Sequence, residues 1–107
     1  MYKEQFIRAI HGKRKIILTF YSKEDGRFLS RKCAPMDYGP SRRAKQKNDR
    51  YHVWDYESDT QKHTLSVNPE QISDIQFLEE NFEPAEFITW DTVSSPWFIP
   101  RDWGPHS

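Results

Sequence analysis

The chain has 107 residues, enough for one domain and too few for two independent cores. Hydrophobic residues make up only 36% of it, but aromatics at 15% compensate, because each ring buries a large area. The net charge of zero hides a split: residues 1–50 carry fourteen lysines and arginines against five acids, and residues 51–107 two against eleven. Such a split fits either a polar-ligand face or two halves that attract each other.

Tyr2 to His11 predicts a short helix. Phe6, Ile7 and Ile10 share one face, Lys3, Glu4 and Arg8 lie elsewhere, and Gly12 is placed to end it. A helix this short must dock on something. Lys15 to Tyr21 reads as a strand that is apolar on both faces, and Glu24-Asp25-Gly26 as a tight turn. Arg27 to Ala34 pairs back, with Leu29, Arg31 and Cys33 on one face. Arg31, set between apolar neighbours, either reaches past the rim to water or lines a polar pocket. Cys33 is the single cysteine, which excludes an internal disulfide and points to a reducing compartment; it reads as a small buried hydrophobe. Pro35 is expected to break the strand and leave Met36 to Gly39 as a short extended piece. Ser41 to Asn48 is a solvated loop or a frayed helical turn, basic at Arg42, Arg43, Lys45 and Lys47.

Arg50 to Val67 reads as the central hairpin. By the two-residue period of a strand, Tyr51, Val53 and Asp55 face one side and His52, Trp54 and Tyr56 the other. Glu57 to Gln61 supplies the turn, and His63, Leu65 and Val67 share a face of the return strand. Asn68 to Gln71 is a further turn, and Ile72 to Glu80 the last strand, with Ile75 and Phe77 on one face. The expected core is Ile16, Leu18, Phe20, Leu29, Val53, Leu65, Val67, Ile75 and Phe77. From Phe82 onward aromatics alternate with Pro84, Pro96, Pro100 and Pro105, which forbid a continuous helix or a central strand. Disordered tails are poor in aromatics. This segment is therefore expected to wrap the domain or to dock on a partner through Trp97, Phe98 and Trp103. The reading is mainly β: a small five-stranded barrel with a short N-terminal helix over 1–84, and a Trp/Pro-rich extension over 85–107.

His11, His52, His63, His106 and Cys33 lack the close pairings of metal sites, so neither metal nor cofactor is expected. No Ser-His-Asp spacing or Gly-rich phosphate loop is visible, and the chain reads as a non-enzyme. Arg31, Arg50 and His63, with Tyr51 and Tyr56 alongside, are the candidate ligand site. Guanidinium forks suit phosphate and rings stack on unpaired bases. Arg42, Arg43, Lys45 and Lys47 would track a nucleic-acid backbone beside it. Tyr51 and Tyr56 lie on opposite faces by parity, so at least one belongs to the core. A protein-interaction or oligomerisation module using the extension is the alternative, and a sensor of another small anion the third reading. No leader or membrane-length apolar run is present, which gives a cytoplasmic location without a membrane partner.

Ala9-Ile10, Arg31 ahead of Pro35, Arg50-Tyr51-His52-Val53 with Tyr56, Ile72-Ser73-Asp74-Ile75 and Asn81-Phe82-Glu83-Pro84 occur in the order of a known pattern. Over about three quarters of its length the chain resembles the WYL domain family. The resemblance implies an Sm-like, SH3-like barrel that acts as a bacterial regulatory module, sensing a ligand or binding nucleic acid, usually attached to a helix-turn-helix domain. The naming triplet is here Tyr51-His52-Val53, and the family's Arg-rich fourth strand is His63-Thr64-Leu65-Ser66, so two anion-binding arginines are absent. No DNA-reading domain precedes Met1, so the chain is not expected to be a conventional repressor by itself; the partners expected are a second copy, covered by the extension, or a separate DNA-binding protein.

Overall fold

Residues Lys3–Gly12 form helix α1, whose buried face is Phe6, Ala9 and Ile10. Gly12 is its last residue; the chain leaves the helix at Lys13, which takes the left-handed conformation (φ 54°) that Gly12 was expected to supply. The indole Nε1–H of Trp103 donates to the Ile10 carbonyl (2.9 Å), satisfying one of the acceptors a helix leaves open at its end. The computed structural model describes residues 2–41, 45–58 and 63–107.

Five antiparallel strands follow: β1 (Arg14–Ser22), β2 (Arg27–Pro40), β3 (Asp49–Asp55), β4 (Thr64–Val67) and β5 (Ile72–Asn81). Their order in the sheet is β4-β3-β2-β1-β5. The β1–β2 hairpin turns on Gly26 with φ 66°, a conformation that costs glycine little. Expected strands and observed strands coincide closely except at β2. Pro35 does not end it; the strand continues to Pro40 through a register shift between Pro35 and Asp37. The β1–β2 pairs stop at Cys33, so Pro35 has a partner on one side only and sits at the irregularity, where a missing N–H is tolerated.

The sheet is not closed by hydrogen bonds, since β4 and β5 are both edges. A single 3-10 turn, Pro69–Gln71, nevertheless carries the chain from one edge to the other. In a flat sheet those edges would lie four strand spacings apart, roughly 19 Å; a 3-10 turn rises only about 2 Å per residue. The sheet must therefore curl. Gln71 Nε2 ties the turn to the Tyr21 carbonyl at the end of β1 (3.1 Å).

Ile16, Leu18, Phe20, Val53, Val67 and Ile75 are buried as expected, while Leu29, Leu65 and Phe77 pack half-exposed around them. The extension joins the same core: Phe87, Ile88 and Trp103 are buried there beside Phe82. Its anchor is Asp37, 6% exposed on β2. The two Asp37 carboxylate oxygens accept the backbone N–H groups of Phe98 (2.9 Å) and Ile99 (3.0 Å). Arg101 donates to Asp37 Oδ1 (3.2 Å) and to the Met36 carbonyl, and its guanidinium lies between the Trp97 and Trp103 rings, 4.1 and 4.4 Å from their centroids. Burial pulls Arg101 down to about 10, against the opposite pull of Asp37, so it remains a cation at neutral pH. The opposite charges of the two halves also meet on the sheet, where Glu80 of β5 bridges Lys15 (2.7 Å) and Lys32 (3.0 Å). Among the described residues no helix is long and apolar enough to cross a membrane.

Candidate functional site

Strand parity sends Arg50, His52 and Trp54 of β3 to the face opposite Tyr51 and Val53. Register sets Ser66 of β4 beside His52 and Thr64 beside Trp54. Over this face the extension builds a wall from Trp90 to Phe98, and between floor and wall runs a groove of about 720 Å³. Its rings come from Trp54, His52 and His63 below and from Trp90, Trp97 and Phe98 above.

The floor is rigid. His52 bonds Ser66 Oγ through Nδ1 (2.7 Å) and the Gly39 carbonyl through Nε2 (2.8 Å). A carbonyl only accepts, so Nε2 carries a proton and, in the neutral ring, Nδ1 accepts from Ser66. Trp54 stacks with His63 at 4.8 Å and with Phe87 at 5.3 Å. His63 Nδ1 likewise donates to the Asp55 carbonyl (2.8 Å). The wall is held by three features: the Asp37 anchor, the bond from Trp97 Nε1 to the His106 carbonyl (2.8 Å), and a turn in which Asp91 accepts from Val93 N and Ser94 Oγ. Phe98 lies directly on the backbone of Gly39, where an added Cβ would stand 2.7 Å from its ring. Trp90 and Phe98 remain 36% and 42% exposed.

The residues singled out from the sequence are not brought into one place. His63 lines the groove. Arg31 lines a second cavity of about 750 Å³ at the other end of the hairpin, with Asp55 and Leu65. There it donates to the Glu57 carbonyl (2.6 Å) and stands 4.0 Å from the Asp55 carboxylate, so the pocket-lining alternative holds for it. Asp55 itself is buried, and burial raises its carboxyl above the ordinary value despite the Glu57 N–H and Arg31 beside it. Arg50 sits at the far end of β3, roughly 17 Å from Asp55 at about 3.4 Å per residue. Its Nε is buried without a hydrogen-bond partner among the described residues. Tyr51 is a core residue, packed edge-on to Phe6 (4.9 Å) and Tyr38 (5.1 Å). Tyr56 packs its ring against Phe87, with the Lys15 ammonium 4.7 Å from its centroid. Lys45 is exposed, and Lys47 reaches the groove rim, donating to the carbonyl of the lining residue Ser41 (3.2 Å). Arg42 and Arg43 lie outside the described residues. Of the extension's candidates, Trp97 and Phe98 line the groove and Trp103 is buried against Phe82. Cys33 is fully buried, and burial pushes its thiol far up, which leaves it unreactive.

Sequence reasoning did not select His52, Trp54, Trp90 or Asp37. Parity does place His52 and Trp54 on one face, and that was the available signal. Comparison with protein-family models, with curated proteins and with solved structures finds no match.

Proposed function

We propose that the chain is a non-catalytic binding module of the WYL kind, built on an Sm-like, SH3-like plan, and that its groove takes a base of single-stranded nucleic acid or of a nucleotide. The observation that carries this reading is the groove itself, lined by the rings of Trp54, Trp90, Trp97 and Phe98, with Lys47 at its Ser41 rim. Ring faces stack on any unpaired base, and a rim cation suits the phosphate that leaves the groove. The curled five-stranded sheet with its short helix supports the WYL-like plan. Arg31 of β2, beside Asp55 at one end of β3, and Arg50, at the other end, do not share this site; Lys45, Lys47 and Arg50 serve the backbone.

Fluorescence anisotropy of a labelled single-stranded oligonucleotide tests the proposal. Micromolar binding is expected at low salt, with a slope of log K against log salt near −2 for about three phosphates. Trp90→Ala should weaken it about tenfold or more, in line with a base–aromatic stack of roughly 1–3 kcal/mol. Absence of binding at low salt would sink the reading. The second reading, a protein-interaction module, is favoured by the Tyr21–Phe28 pair on the β1–β2 hairpin, 38% and 60% exposed. In that case light scattering should show an oligomer that Phe28→Ser dissociates.

A further inference from the structure

Beyond the nucleic-acid reading, we infer that the outer edge of β4 docks an extended peptide, which joins the sheet as a further strand and sends alternate side chains into the two cavities. β4 ends the order of the sheet and pairs with β3 alone among the described strands. The Asp55 N–H donates to the His63 carbonyl (2.7 Å), which makes these two a hydrogen-bonded pair. Antiparallel pairs alternate between bonded and non-bonded, so Thr64 and Ser66 turn their N–H and C=O groups away from β3, along the outer edge. A row of backbone donors and acceptors is matched by another backbone, and this identifies the occupant as an extended polypeptide. Edges are commonly guarded by charge. β5 carries Asp74, Glu79 and Glu80, whereas Thr64-Leu65-Ser66-Val67 has neither a charge nor a proline.

The cavities add what so short a ladder lacks. The ring-lined groove of about 720 Å³ and the cavity of about 750 Å³ that holds Arg31 both reach β4, and Thr64 and Ser66 line both. Leu65 and Val67, between them in sequence or next to them, line the second cavity. An added strand has the same period of two, so its side chains enter the groove and the second cavity in turn. The groove side suits aromatic or aliphatic chains, which meet Trp54, Trp90 and Trp97. The other side meets Arg31 and Asp55, 4.0 Å apart, a donor and an acceptor that together suit a carboxamide. A side chain in the groove takes the room of a base, so the peptide and a single-stranded oligonucleotide exclude each other.

A library of random eight-residue peptides displayed on phage, panned against the full chain, supplies the probe: its tightest-binding member, synthesised with a fluorescent label. Selected sequences should carry aromatic or aliphatic residues at every second position. Binding should slow amide exchange at Thr64 and Ser66, whose N–H groups gain partners, and leave Leu65 and Val67, already in the β3 ladder, nearly unchanged. Thr64→Pro removes an outward N–H at the first residue of the strand, where proline is tolerated, and should weaken the peptide about tenfold or more. Thr64→Val keeps the N–H and should bind within about twofold of the wild type. The wild-type exchange pattern decides the matter even if Thr64→Pro does not fold. No selected peptide, no slowing at Thr64 and Ser66, or an unchanged affinity in a folded Thr64→Pro overturns the inference. So does a dimer in light scattering that Thr64→Pro dissociates, which gives the edge to a second copy. Oligonucleotide binding is read separately: its absence removes the nucleic-acid reading and leaves the peptide site standing.

Discussion

Removal of the Asp37 carboxylate tests how the extension is held. Asp37→Ala takes the acceptors from two successive backbone amides and from Arg101, whose side chain is 0% exposed. An unpaired buried cation is the dominant loss. Breaking a buried pair by deleting one partner costs about 3–5 kcal/mol, a large part of a net stability of roughly 5–15 kcal/mol. With a urea dependence of about 2 kcal/mol per molar, the unfolding midpoint should fall by roughly 2 M, read from tryptophan fluorescence. The double variant Asp37→Ala/Arg101→Met removes the stranded charge and leaves an apolar chain between Trp97 and Trp103. It should be more stable than Asp37→Ala alone, the coupling falling in the range of about 0.5–3 kcal/mol. A single-variant cost below about 1 kcal/mol, or a double variant no better than the single one, would refute the reasoning.

Truncation after Pro84 removes Phe87, Ile88 and Trp103 from the core, at about 1.5–3 kcal/mol each, so residues 1–84 should lose their cooperative melt by circular dichroism; a melting temperature within a few degrees of the full chain contradicts this. Asp55 holds its proton more tightly folded than unfolded, so its titration favours the folded state below the unfolded value of about 3.9 and that advantage is lost as pH rises through the raised folded value. Asp55→Asn should therefore gain on the wild type between pH 4 and pH 7 in urea titrations, and an unchanged difference would be the wrong result.

The strands were legible because their signals are local. β1 is apolar on both faces, β3 is rich in aromatics around Val53, and Gly26 marks the hairpin turn with its positive φ. The course of β2 past Pro35 was not legible, since a proline breaks a strand or sits at a bulge depending on the neighbours, which sequence does not supply. The site was legible only by face. Parity separates Tyr51 from Trp54, but it does not give the register of β2 on β3, which sets Cys33 against Asp55 and Gly39 against Arg50 and so keeps Arg31 and Arg50 apart. Asp37 carried no signal at all. Its partners are more than sixty residues away, in a segment whose prolines remove any periodic pattern.

The central claim, that the extension folds back to make a base-binding groove, is tested most directly by the four tryptophan indole N–H resonances. In a heteronuclear NMR titration with a short single-stranded oligonucleotide at low salt, Trp90, Trp97 and Trp54, which line the groove, should shift together. Trp103, buried with its N–H on the Ile10 carbonyl, should stay in place. Shifts that spare Trp90 and Trp97, or no shift in any indole while the oligonucleotide binds, would contradict the account.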